Sequence, residues 1–260
     1  MGLKNENAIF QRVMEDVLKD LDYADTYVDD VIIGSTGETE AELIHNHEGD
    51  LRKVLEVLEA AGLVAVPGKA QLFVREVEFC GHLLRDEKRY PSPGKLLSIQ
   101  KWELPPTLTK LRGFLGLCNY YEEYVPGHAE IAWRIMEKLK VRGPDAKAGS
   151  NLKLEWTPEE MEAFHALKKA LSQALCIHQV VPDEPFQMRT DASHTSLGAV
   201  LQQKRDTWVP VCFFSRKLTS SQLNWSPREK EAYAVVVSLI KWAGWIGTTQ
   251  LEVVTDHNSL

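Results

Sequence analysis

The stretch "YADTYVDDVIIGS", residues 23–35, decides the reading of this chain. Asp29 and Asp30 sit side by side between Tyr27 and Val28 on one flank and Val31, Ile32 and Ile33 on the other. The β-branched and aromatic flanks predict two short strands, and the acidic pair falls where they meet. Adjacent carboxylates repel each other, so the pair must have a use that offsets the repulsion.

Working outward, residues 7–21 carry Phe10, Val13, Met14, Val17, Leu18 and Leu21 at helical spacing, which predicts an amphipathic helix. Residues 39–61 repeat the pattern with Leu51, Val54, Leu55 and Leu58, and Gly62 stops it. Strands are expected over 70–74 and 77–84. Helix, hairpin, helix and strands make an α+β layer, a sheet backed by helices. The turn-rich "RYPSPGK", residues 89–95, marks a boundary. Helices are predicted beyond it over 95–102, 107–124 and 128–139, followed by a polar linker at 141–151. "WTPEE" then opens a helix over 156–175, with Thr157 as N-cap and Pro158 at the first helical position. Three strands follow, in "EPFQMRTDAS", "GAVLQQ" and "WVPVCFFS". A helix over 228–242 and a strand over 251–255 complete the pattern.

At 260 residues the chain can bury two or three modest cores, and 44% hydrophobic with 26% charged residues is ordinary for a folded protein. No run of about 18 apolar residues exists, so no membrane partner is expected. The start has no signal-peptide pattern. The four cysteines, Cys80, Cys118, Cys176 and Cys212, form no CxxC pair and read as reduced core residues. The net charge of −7 argues against a uniformly basic nucleic-acid binder. Its distribution is uneven, however. Residues 1–66 hold 5 basic and 15 acidic side chains, whereas residues 69–142 hold 13 basic and 9 acidic, so the middle of the chain can face phosphates.

A second set of acids lies in the last third. Asp191 closes the strand "PFQMRTD", Asp256 closes "LEVVTD", and Glu231 rides the helix "REKEAYAVVVSLI". Two strand-end aspartates and a helix glutamate can converge on one edge of a sheet. Such a trio suits a hard divalent cation, which takes carboxylate oxygens together with a substrate phosphate. A strand-end aspartate is also a common turn former, so each taken alone is ambiguous. Glu229 is the rival acid on the same helix. His45 and His47 in "HNHE" stand two apart on a helix and so face different sides, unlike a metal-binding i, i+4 pair. Tyr120, Tyr121 and Tyr124 fit helix packing better than base stacking.

The ordered motifs "GLKN…FQ", "YVDD", "VEFCGHLL", "PSPGKL", "LRGFLGLCNYYEEYVPGH", "LEWTPEEMEAFHALKKAL", "FQMRTDASHTSLGAVLQQ", "FFSRKLTSSQLNWSPREKEAYAVV" and "VVTDHNSL" resemble, across the whole chain and in register, the Pol polyprotein of gypsy-type LTR retrotransposons. YVDD alone is a weak signal; nine motifs in order are a strong one. The resemblance implies an α+β reverse transcriptase palm remnant at 1–88, a helical thumb at 89–150 and a truncated RNase H-like α/β domain at 151–260. It implies RNA-directed DNA polymerisation with hydrolysis of the RNA strand of an RNA–DNA hybrid, by two-metal phosphoryl transfer with Mg²⁺ or Mn²⁺. Asp29 then becomes a direct metal ligand and Asp30 its support, with Tyr27 and Val28 near the primer terminus. Phe79, Cys80 and Gly81 resemble the primer grip, and Lys69 the palm lysine near the incoming triphosphate. Asp191, Glu231 and Asp256 become the nuclease carboxylates.

The implied partners are template–primer and hybrid nucleic acid, deoxynucleoside triphosphates in the intact parent, and other Pol domains such as protease and integrase. The implied setting is intracellular: the cytoplasm and its virus-like particles, with the nucleus as a second compartment. In the family, the fingers and a third palm aspartate precede the segment matched here, and a fourth nuclease carboxylate follows it. The expectation is an internal fragment that does not polymerise alone, the alternative being a catalytically inactive nucleic-acid-binding remnant.

Overall fold

The computed structural model describes residues 5–140 and 153–256, so the predicted linker at 141–151 lies outside the described residues. The chain forms two compact units, Met1–Asp86 and Glu87–Leu260.

In the first unit, α1 (Glu6–Leu18) and α2 (Glu40–Ala60) back the hairpin of β1 (Ala24–Tyr27) and β2 (Asp30–Ile33). Met14, Leu18 and Leu21 meet Val54 and Leu58 in one apolar cluster, with Val31 and Ile33 of the hairpin against it. Thr39 caps α2 by accepting from the Glu42 amide at 3.2 Å. The strand expected at 70–74 does not form. Pro67–Lys69 makes a 3₁₀ turn instead, and Phe73 takes a left-handed φ of 55° that no extended strand accommodates. The strand expected at 77–84 is two strands, β3 (Glu76–Phe79) and β4 (His82–Arg85), paired antiparallel. Cys80 and Gly81 both have positive φ, 49° and 74°, which is the type I′ turn of a two-residue hairpin.

The second unit begins with β5 (Lys88–Pro91), which pairs with the two-residue β6 (Ile177–His178); neither strand carries enough sequence signal to be foreseen. Four helices, α3 (Pro93–Lys101), α4 (Leu108–Tyr120), α5 (His128–Glu137) and α6 (Pro158–Ser172), share one core. Leu111, Phe114 and Cys118 of α4 meet Ile135 of α5 and Phe164, Leu167 and Leu171 of α6, all essentially inaccessible. Each such side chain contributes about 1.5–3 kcal/mol by leaving water. Tyr121 and Tyr124 belong to that core, while Tyr120 is half exposed. The helix expected to run to 124 ends at Tyr120, and a 3₁₀ turn over Glu122–Tyr124 lets Tyr124 point inward.

Beside these helices lies a four-stranded sheet ordered β10-β7-β8-β9. β7 (Phe186–Ala192), β8 (Ser196–Lys204) and β9 (Trp208–Lys217) form an antiparallel meander. The chain then crosses through α7 (Pro227–Ile246) and returns as β10 (Leu251–Val254), parallel to β7. A parallel neighbour requires such a crossover. α7 seats Trp242 and Ile246 on Phe186, Met188 and Leu201. Both α6 and α7 start with a full capping box, Thr157 with Glu160 and Ser226 with Glu229. Among the described residues no helix is long and apolar enough to cross a membrane, and all four cysteines are free thiols.

Candidate metal centre and polymerase hairpin

The hairpin β1–β2 pairs Tyr27 with Asp30, which leaves Val28 and Asp29 as its two turn residues. Val28 has φ 54°, a conformation a β-branched side chain rarely adopts and one that costs about 1–3 kcal/mol. Gln11 of α1 holds it there. Its Oε1 accepts from the Val28 amide at 2.5 Å, and its Nε2 donates to the Thr26 carbonyl at 3.1 Å. Sequence reasoning missed Gln11, because nothing in its spacing shows that an α1 side chain grips the turn 17 residues on. Tyr27 is 60% exposed, and Asp29 and Asp30 are exposed beside it. Phe79, Cys80 and Gly81 form the end of the β3–β4 hairpin. Burial, and after it the Asp30 and Asp25 carboxylates, push the Cys80 thiol above its usual range. Lys69 is exposed in its 3₁₀ turn, and among the described residues no hydrogen bond or ion pair joins it to the aspartates.

The three acids of the second unit do come together. β10 runs parallel to β7 with Leu251 opposite Phe186 and Val254 opposite Arg189, and the same offset carried two residues on sets Asp256 beside Asp191. Glu231, in the second turn of α7, is 5% exposed and accepts from the Ala192 amide at 3.0 Å. That bond fastens the helix glutamate to the residue following Asp191. The result is one ligand atom each from Asp191, Glu231 and Asp256 within 4.8 Å of one another. Among the described residues this is the one group of three His, Cys, Asp or Glu side chains that can share an ion. Glu229, the rival acid, is occupied elsewhere. It closes the capping box, accepting from the Ser226 amide at 2.7 Å and hydroxyl at 2.8 Å, and those bonds hold its carboxyl below the usual range.

On the other side of Asp191 the register places Gly198, above which a Cβ would meet nothing within 4 Å. A groove of about 430 Å³ opens there, lined by Asp191, Asp256, Gly198, Val200, Phe213 and Gly127. All-oxygen donors, two of them solvent-facing and one fixed by a backbone amide, suit a divalent cation that keeps part of its water shell and binds a phosphate oxygen. His47 is engaged differently: its Nδ1 lies 3.0 Å from the Ser35 hydroxyl, which donates to Asp50 at 2.6 Å. This network ties the end of β2 to α2 and holds no third acidic ligand.

The first unit thus presents a hairpin with paired aspartates, and the second a mixed sheet with three converging carboxylates. Residues 1–84 match the family "Reverse transcriptase (RNA-dependent DNA polymerase)", and residues 156–253 match the "RNase H-like domain found in reverse transcriptase". The chain carries a reverse transcriptase match followed by an RNase H-like match, and it is similar to retrotransposon Pol polyproteins. Its whole length aligns with the Drosophila melanogaster "Retrovirus-related Pol polyprotein from transposon 297" at 33% identity, covering 23% of that protein. The alignment with the "Retrovirus-related Pol polyprotein from transposon gypsy" of the same organism is 32% identical, again over the whole chain and 25% of the relative. The chain thus spans about a quarter of these curated relatives. Among solved structures it is similar to the foamy viral protease-reverse transcriptase in complex with RNA/DNA hybrid, with a TM-score of 0.86 at 26% identity over all of this chain and 34% of that one.

Proposed function

We propose that the Asp191–Glu231–Asp256 centre hydrolyses the RNA strand of an RNA–DNA hybrid, and that the Asp29–Asp30 turn serves templated DNA synthesis in the intact parent protein. On this reading residues 1–88 are the palm portion, 89–150 the thumb and 151–260 the nuclease domain. The observation that carries it is the meeting of three carboxylates at one end of an RNase H-like sheet. Bound Mg²⁺ or Mn²⁺ would activate a water and stabilise the leaving oxygen of the cleaved phosphodiester. Asp191 and Asp256 present oxygens from neighbouring strand ends. Glu231 supplies a third, its orientation fixed by the Ala192 amide. The groove over Gly198 gives a backbone strand room to approach. The similarity to a polymerase solved with RNA/DNA hybrid supports the substrate class. In the intact parent, deoxynucleoside triphosphates, template–primer and neighbouring protease and integrase domains complete the partner set, inside the cell.

Asp29 and Asp30 stand outside any group of three acidic ligands among the described residues, which favours a polymerase half that binds nucleic acid without extending it. A hybrid with a labelled RNA strand tests the nuclease reading. The chain cleaves the RNA in Mn²⁺ and not in EDTA, and Asp191→Asn lowers the rate more than about 100-fold, beyond the usual cost of losing an outer-shell partner. Cleavage that persists undiminished in Asp191→Asn refutes the assignment. Primer extension by this chain alone is expected to be absent.

A further inference from the structure

Lys230, the residue before Glu231, is 5% exposed. An ammonium in that position must be compensated by hydrogen bonds, because burial of an unpaired charge is costly. Its Nζ donates to the Leu223 carbonyl at 2.9 Å and to the His194 carbonyl at 3.3 Å. Leu223 belongs to the 3₁₀ turn Gln222–Asn224 that precedes α7, and His194 lies in the turn between β7 and β8, three residues after Asp191. Two bonds therefore cross the same junction between α7 and the end of β7, Lys230 to His194 and the Ala192 amide to Glu231.

The turn is also held from its outer side. Thr195 donates to Glu130 of α5 at 3.2 Å, and Lys217 at the end of β9 donates to the same carboxylate at 3.2 Å. Ser193 closes the turn on itself, its hydroxyl donating to the Ser196 carbonyl at 2.9 Å. With that outer hold in place, removing the Lys230 bonds leaves the Ala192–Glu231 bond to restrain the inner side, so α7 is held less firmly against β7 and Glu231 less firmly near Asp191.

We propose that Lys230 is a positioning residue for the metal centre: by clamping the His194 and Leu223 carbonyls it holds Glu231 in reach of the ion shared with Asp191 and Asp256. This rests on the metal-centre reading above. The groups facing the clamp are two backbone carbonyls, so it acts by geometry. Outer partners of metal ligands are worth about 10–100-fold in affinity, and Lys230 is expected to fall in that range.

The test is Mn²⁺ binding to the full chain, measured by calorimetry and by the electron paramagnetic resonance signal of free Mn²⁺, without substrate. Lys230→Met keeps the stem and removes the donors; it is expected to weaken binding about ten-fold or more. Cleavage at saturating Mn²⁺ then recovers towards the unsubstituted rate, because the ligands themselves are intact. Val237→Ala, which removes packing from the same helix, is expected to lower the melting temperature and leave the Mn²⁺ dissociation constant unchanged. Lys230→Arg retains charge but cannot reproduce the two-carbonyl geometry, and it decides the matter should the Met variant not fold: an affinity weaker than the parent's supports the clamp. An unchanged dissociation constant in a folded Lys230 variant, or an equal shift in Val237→Ala, overturns the proposal. A parent chain that binds no Mn²⁺ at all overturns the metal centre itself, which is a different failure.

Discussion

Without metal, the three clustered acids work against the fold, and that cost can be measured. Asp191 has two carboxylate neighbours with ligand atoms within 4.8 Å. At that separation each like-charged pair repels by about 0.9 kcal/mol in water and about 3.5 kcal/mol at an effective dielectric of 20. Asp191 and Asp256 are exposed, so the water limit is the better guide, and two pairs come to roughly 2 kcal/mol at low salt. Among the described residues no hydrogen bond to the Asp191 carboxylate offsets this. Asp191→Asn keeps the shape and removes the charge, so it should stabilise the metal-free protein. For a unit spanning Glu87–Leu260, 2 kcal/mol raises the melting temperature by roughly 4–8 °C. Adding Mn²⁺ reverses the order. The parent gains about 2.7 kcal/mol at a hundred times its dissociation constant, while the variant gains little. Differential scanning calorimetry in EDTA and then in Mn²⁺ reads both arms. An Asn variant less stable than the parent in EDTA, or an equal gain from Mn²⁺ in both proteins, refutes the reasoning.

Three further outcomes follow from the packing. Val28→Gly relieves a left-handed valine and should stabilise the first unit by up to about 1 kcal/mol, net of the extra freedom glycine gives the unfolded chain, as read by urea denaturation. Burial pushes the Glu160 carboxyl up, but hydrogen bonds from Lys138 and the Thr157 amide outweigh it and hold the group below its ordinary 4.5. Its contribution is therefore present above pH 4.5 and lost as pH falls through the lowered value, so the stability gap between the parent and Glu160→Gln should close on acidification. Trp242→Ala empties the seat of α7 on the sheet and should cost about 3–5 kcal/mol by thermal unfolding.

Much of this was legible in the sequence. The acidic hairpin, the helix α2 and the N-cap at Thr157 follow from local rules, and local rules sufficed there because the signal lies within a few residues. Asp191, Glu231 and Asp256 could be named, but their meeting depends on the parallel register of β10 against β7, which no spacing reveals. The failures share one cause. Residues 70–74 are apolar and strand-like, yet the Pro67–Gly68 turn and the left-handed Phe73 divert them. Residues 77–84 look continuous until Cys80 and Gly81 both adopt positive φ. Gln11 and Lys230 act through backbone atoms 17 and 36 residues away, contacts that only the folded chain defines.

The most direct measurement of the central claim is an anomalous-scattering map from crystals of the chain soaked in Mn²⁺. The account predicts ion density between the carboxylates of Asp191, Glu231 and Asp256, lost in crystals of Asp191→Asn. A map with no density there, or with those side chains turned apart and paired to basic residues, would contradict it.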